Sequence, residues 1–382
     1  MNIKKESTGG LRELVGTRAF YKKVLLVAVP IMIQNGITNF VSLLDNIMVG
    51  QVGTEQMSGV AIANQLVFIF NLCIFGAVAG AGILGAQFYG SGNSEGVRDT
   101  FRFKLLFGVI LSAIFAVIFL TVGEPLIQQF IHQGEGIGDL EATRSYGKAY
   151  LEVIVIGILP FALTQCYSGT LRETGETVIP MIAGIIAVLV NLVFNYILIF
   201  GKLGAPELGC VGAAIATVLS RFVELAIVAG WTHKHVARNP FIRGALRSFK
   251  IPGSLLKQII AIGLPLFINE LMWSFGITFM TQCYSVRGLE VVAAFNIANT
   301  ISNVFNVVFL SLGNAVGIII GQMLGAGRLE EAKREDKQLI AFSVFCCFLT
   351  GAMLILLSPF FPRMYNTEEI VKELATQLIF IT

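Results

Sequence analysis

Charge is what this 382-residue chain has least of: Asp, Glu, Lys and Arg together make 13% of it, against 55% hydrophobic residues. A soluble globule of that size needs more polar surface, so the composition is that of a membrane protein. Histidine is nearly absent, and His132, His233 and His235 all fall in predicted loops, which excludes a His-centred catalytic group within the membrane. The six cysteines lie in or beside apolar runs and form no CxxC or Cys/His spacing, so packed thiols are expected. Neither a metal centre nor a nucleophilic triad is supported, no cofactor is expected, and an enzyme reading fails for want of a nucleophile–base pair. Tryptophan occurs twice against 30 Phe; aromatic lining of a cleft would suit amphipathic cations, and lipid-facing filler explains the Phe as well.

What is present is apolar length. A bilayer core of about 30 Å needs roughly 20 helical residues, and runs of that length cover about 24–48, 58–85, 103–123, 149–170, 177–200, 208–232, 258–284, 292–320 and 337–358, with a tenth beginning near Lys372. Hydrocarbon leaves no partner for an unsatisfied backbone group, and runs without short alternation favour helices over a barrel. The fold class is therefore an all-α polytopic membrane protein. The first apolar run is too long for a signal-peptide core and is read as a retained span.

Of the 27 Lys and Arg, 20 fall in the N-terminal segment and every second connection, and six in the other set. Basic residues are retained on the cytoplasmic side, so the N-terminus is expected there. The location expected is a bacterial-type cytoplasmic (inner) membrane. The net charge of +3 then needs no nucleic acid as partner, and contact with anionic membrane lipids is a further expectation.

The chain also repeats itself. Residue n placed beside n + 235 brings Pro30 onto Pro265, Gly53 onto Gly288, Ile62-Ala63-Asn64 onto Ile297-Ala298-Asn299, and Gln87, Gly90 and Gly92 onto Gln322, Gly325 and Gly327. Sixteen identities fall in the 69 positions from 30 to 98, without a gap, against roughly five or six expected from so biased a composition. The glycine positions shape turns; without a following Lys-Ser/Thr they are no phosphate loop. Six spans, an even number, separate corresponding points, so the copies are parallel repeats, a transporter architecture. The organisation expected is a cytoplasmic segment 1–23, a six-helix lobe 24–232, a basic linker 233–257 and a partial second lobe 258–382, with substrate moving through a cleft between lobes. Completing the second lobe would take roughly 85 further residues.

The runs PIMIQNGITNFVSLLDNIMVGQVG, GAQFYGSGNSEGVR, NLVFNYILIFGKLGAPELGCVGAAIATVLSR and GLPLFINELMWSFG resemble the multidrug and toxic compound extrusion (MATE) family of secondary antiporters. The resemblance covers essentially the whole chain. It implies twelve spans in two six-helix lobes, and outward movement of organic cations and other amphipathic compounds coupled to inward Na⁺ or H⁺. The chain departs from that pattern by stopping within what would be span ten, so a family acidic residue there has no counterpart. A monomer is expected.

The candidate site residues follow. Asp45 ends 21 residues of span one, and a carboxylate in hydrocarbon costs about 2.5–3.5 kcal/mol unless it faces a cavity or a partner. It is either an interfacial anchor or an ion-coupling group, and it matches the family's first-span aspartate. Asn191 and Asn195, at i, i+4, put two amides on one face of span five and match the family's ion-site positions; inter-helix hydrogen bonding is the alternative. Thr217 is added from the same network. Glu270, in span seven with no basic residue within a turn, is read as ion- or substrate-binding, or as a proton-locked structural group. Arg221 and Glu224, at i, i+3, are expected to form an ion pair. A lipid-linked oligosaccharide flippase of the same broad superfamily is the alternative function.

Overall fold

The computed structural model describes residues 14–130, 139–285, 289–364 and 369–381. Residues 1–13 of the N-terminal segment, His132 and Arg287 lie outside the described residues. Ten α-helices occur among the described residues, and no strand: α1 Arg18–Gly50, α2 Thr54–Gly90, α3 Ser94–Phe130, α4 Leu140–Glu173, α5 Val178–Ile199, α6 Gly209–Lys234, α7 Gly253–Ser285, α8 Leu289–Gly325, α9 Leu329–Leu357 and α10 Glu369–Ile381. Nine of these, all but α10, are long and apolar enough to cross a membrane. Each expected span has its helix, and most helices run beyond the apolar stretch because an α-helix satisfies its backbone wherever the chain enters or leaves hydrocarbon. One expectation changes at such an end: His233 lies in the last turn of α6 rather than in a loop.

The duplication is visible residue by residue. Adding 235 to the starts of α1, α2 and α3 gives the starts of α7, α8 and α9, and adding it to the ends of α1 and α2 gives the ends of α7 and α8. The stop signal is copied as well. Gly92 follows α2 at φ +73° and Gly327 follows α8 at the same φ, a left-handed conformation that glycine adopts without a Cβ penalty. Around them, Gly92 N–H donates to Tyr89 O at 3.0 Å and Asn93 N–H to Phe88 O at 2.9 Å, while Gly327 donates to Leu324 O and Arg328 to Met323 O, both at 3.1 Å. These pairs of bonds satisfy the last carbonyls of each helix.

The compact units differ from the lobes expected at 24–232 and 258–382. One contains residues up to Gly36 together with Leu271–Thr382, and the other contains Ile37–Glu270. The break thus falls inside α1 and α7, at positions that correspond to within one residue under the repeat. The cause is in the apolar faces. Phe20, Val24 and Ala28, in the first half of α1, are buried with Leu312, Ala315, Ile319, Met323 and Leu339 of α8 and α9. In the other unit, Leu255 and Ile259 of α7 are buried with Ala81 and Leu84 of α2 and Phe103 of α3. The repeat pairs Val24 with Ile259 and Ile319 with Leu84, so the same contact is made twice, each time by the first half-helix of one copy against the body of the other. Linker composition alone could not reveal that exchange. Close approach of α7 to α2 depends on glycine at Gly80, where a Cβ would stand 2.5 Å from Gly263 Cα.

The connection 233–257 belongs to the unit Ile37–Glu270 and is tied down by α3. Arg98 Nε donates to Phe241 O at 3.3 Å, and Arg102 donates through Nε to Ala245 O at 3.0 Å and through Nη2 to Gly244 O at 2.8 Å. Phe241, Ile242 and Ala245 are buried among Val97, Phe101, Leu171 and Val228.

Candidate functional site

Three helices of one unit bring polar groups together in an apolar setting. Two prolyl-free turns of α5 carry Asn191 and Asn195, spaced four apart and therefore stacked on one face; both are buried, Asn195 completely. The facing surface of α6 is built of small residues, Gly209, Gly212, Ala213 and Ala214. A Cβ on Gly212 would fall 2.6 Å from the Leu198 carbonyl, so glycine sets how closely α5 and α6 approach and brings Thr217 level with Asn191. The start of α6 is held from α2, where Gln56 Oε1 accepts from Cys210 N–H at 2.7 Å. Asp45 enters from the second half of α1, half-buried, one turn before the buried Val49.

The geometry joins all four. Asn195 Nδ2 donates to Asp45 Oδ1 at 2.5 Å. The Asn191 amide stands 2.9 and 3.1 Å from the two Asp45 oxygens and 3.2 Å from Asn195 Nδ2; its nitrogen is assigned to that side, where it donates to both carboxylate oxygens that an amide oxygen would repel. Its oxygen then accepts from the Thr217 hydroxyl at 3.3 Å. Two donors of α5 thus hold the carboxylate of α1, and Thr217 of α6 backs one of them. Asn195 Oδ1 is buried without a hydrogen-bond partner among the described residues, an unusual state for a buried acceptor. The donor set is a carboxylate, two amides able to turn either edge inward and a hydroxyl, which suits a hard cation or a proton.

Glu270 is not part of this cluster. It is half-buried in α7, and no hydrogen bond or ion pair links it to Asp45 or its partners among the described residues. The Arg221–Glu224 ion pair expected on α6 is not formed within 4.0 Å either. The Arg221 guanidinium lies 5.1 Å from the Phe161 ring centroid, and its stem passes over Gly157 of α4, where a Cβ would be 3.2 Å from Arg221 Cδ. A helical side chain leans toward the N-terminus of its helix, so Arg221 reaches back to α4 rather than forward to Glu224.

Two polar contacts were not foreseen. Lys104, counted among the loop cations, is fully buried in α3, with Nζ 2.6 Å from both Glu173 oxygens and 3.2 Å from Thr170 Oγ1 of α4. Glu173 fits there because α2 offers Gly82 and Gly85, where a Cβ would come within 2.6 and 2.4 Å of its oxygens. Tyr150 donates its hydroxyl to Asn64 Oδ1 at 3.2 Å, between α4 and α2. The paired glycines of α2 were the legible trace of the first contact; the partner was not.

Membrane-crossing helices that hold a carboxylate of their own with amides inside the spans have the arrangement met along ion and substrate paths of membrane transporters. The sequence profile of the MatE family matches residues 30–197 and 265–382, and the chain belongs to that family of transporters, not to an enzyme family. It is 28% identical over 357 residues to the probable multidrug resistance protein NorM of Thermotoga maritima, covering 93% of this chain and 74% of that one. It is 26% identical over 365 residues to the multidrug resistance protein MdtK of Edwardsiella ictaluri, covering 94% and 77%. In fold it is similar to the outward-facing conformation of a multidrug resistance MATE family transporter of the MOP superfamily. That match has a TM-score of 0.84 at 22% identity, over 98% of this chain and 81% of the other.

Proposed function

We propose that this protein is a cation-coupled antiporter that exports amphipathic, often cationic organic compounds in exchange for Na⁺ or H⁺ bound at Asp45, Asn191, Asn195 and Thr217. The observation that carries the reading is one carboxylate gripped by two amides from a neighbouring span. A charged carboxylate within the membrane must be neutralised by a partner. With the amide nitrogens turned inward the site stabilises the bare carboxylate. With the amides turned about their last torsion, their oxygens and the Thr217 hydroxyl join the carboxylate around a cation, and protonation of Asp45 is the simpler equivalent. The buried, unpartnered Asn195 oxygen supports the cation-bound state, to which it would contribute a ligand. Glu270, outside the cluster, is proposed to bind ion or substrate separately. The relatives named above are multidrug resistance proteins, so export of drugs is favoured and the oligosaccharide flippase is not. The N-terminus is proposed to be cytoplasmic, on the bias of basic residues.

The test is substrate efflux from membrane vesicles driven separately by a Na⁺ gradient and by a pH gradient. One or both should drive accumulation in the native protein and neither in Asp45→Asn. An Asp45→Asn protein that still concentrates substrate, with unchanged ion dependence, would overturn the assignment.

A further inference from the structure

Arg221 lies inside a membrane-crossing helix, one turn beyond Thr217, and forms no ion pair among the described residues. A cation at such a place ordinarily has a partner. The room for it is built by α4. A Cβ on Gly157 would stand 3.2 Å from Arg221 Cδ and 3.3 Å from Nη1, and the Phe161 ring, 5.1 Å away, lies against the flat side of the guanidinium. That contact engages the charge and takes none of the N–H donors, which point outward in the guanidinium plane. Nη1 is buried without a hydrogen-bond partner among the described residues, while the side chain as a whole is half-buried. The charges around it do not balance. Lys104, Arg172, Glu173, Arg221 and Glu224 are within electrostatic reach of one another in a chain. Lys104 and Glu173 pair at 2.6 Å. Glu224 is then shared by Arg172 and Arg221, so three cations stand against two carboxylates and one positive charge is left over. Asp45 makes no ion pair with Arg221 among the described residues, its oxygens taking the amides of α5.

We propose that the Arg221 guanidinium binds one monovalent anion, a halide or the carboxylate of an organic compound. The chemistry of the two is shared: a singly charged acceptor takes up the missing hydrogen bond and cancels the leftover charge. The half-buried side chain gives the anion its approach, and rotation about its last torsions turns Nη1 toward it. The site is separate from the Asp45 cluster and does not depend on which cation is coupled.

Thermal unfolding of the purified protein in detergent tests it, with sodium chloride, bromide or benzoate replacing sodium gluconate at constant Na⁺. At least one of the three should raise the unfolding temperature progressively with concentration, as mass action requires of a ligand bound by the folded state alone. Benzoate acting at lower concentration than the halides assigns the site to an organic carboxylate; halides acting alone assign it to a free counter-ion. Arg221→Gln should fold, because Glu224 keeps Arg172 and the leftover charge is gone, and should lose the response. In Glu224→Gln, with one opposing carboxylate fewer, the same response should need about ten-fold less anion. An arginine of purely structural role would produce neither change. A native protein indifferent to all three anions, an undiminished response in Arg221→Gln, or a weaker one in folded Glu224→Gln would overturn the proposal.

Discussion

Two carboxylates of the Ile37–Glu270 unit, the buried Glu173 and the half-buried Asp45, present opposite problems to the chain. Glu173 has a permanent counter-ion in Lys104, whereas Asp45 has only neutral donors. Breaking a buried pair from one side is strongly destabilising, while replacing both partners by apolar residues is often neutral. Lys104→Met should therefore lower stability by about 3–5 kcal/mol, and Lys104→Met with Glu173→Leu should recover most of it, measured by thermal unfolding in detergent. Recovery that fails would give the pair a role beyond stability. Asp45→Asn should behave in the reverse way. Insertion and stability hold or improve, and uphill transport is lost, because one charge moved through 100 mV is worth about 2.3 kcal/mol, close to fifty-fold in concentration. Asn191→Ala and Asn195→Ala should weaken ion dependence less, each removing a neutral group. The four residues of the cluster could be nominated from the sequence because carboxylates and amides are rare in apolar runs. The Lys104–Glu173 contact could not, since a cation 69 residues from its partner looks like any other basic residue near a helix start.

At the level of helices, glycine positions fix both where elements stop and how near they pass. Gly80→Ala should destabilise by about 1–3 kcal/mol, since its Cβ meets backbone that cannot yield, and Gly263→Ala should be tolerated because the same contact seen from α7 leaves 3.5 Å. Equal losses from both in thermal unfolding would show that the crossing is not glycine-limited. Gly92→Ala and Gly327→Ala meet no atom within 4 Å, so each should cost only the left-handed backbone, about 1–2 kcal/mol, and the two should match. The spans themselves were legible because hydropathy encodes length directly, and the repeat was legible because glycines and asparagines, uncommon pairings by chance, coincide across the two copies without a gap. The packing of α1 was not: Phe20 and Val24 are simply apolar in sequence, and apolarity names no partner.

For the molecule as a whole, sidedness is the property that the basic bias implies and labelling can decide. Leu203, 88% exposed in the turn between α5 and α6, and Arg243, exposed after α6, are at opposite ends of one membrane-crossing helix. In a cysteine-free background, Leu203→Cys should react with an impermeant maleimide from outside the cell, and Arg243→Cys only in inverted vesicles. The reverse pattern would invert the orientation while leaving the helix count intact. Removing Lys104 from the loop cations, as its burial requires, leaves the bias between the two sets of connections large.

The exchange of half-helices also sets a timetable. The first half of α1 is among the earliest segments made, yet Val24 is buried against Ile319, nearly 300 residues later in the chain. At a synthesis rate of about 5–20 residues per second, that interval is roughly 15–60 seconds. Throughout it, the apolar face of the nascent helix has lipid or the insertion machinery for company, and its final neighbours do not exist. The unit holding residues up to Gly36 can close only after translation has passed α9, so synthesis sets the earliest moment of its assembly.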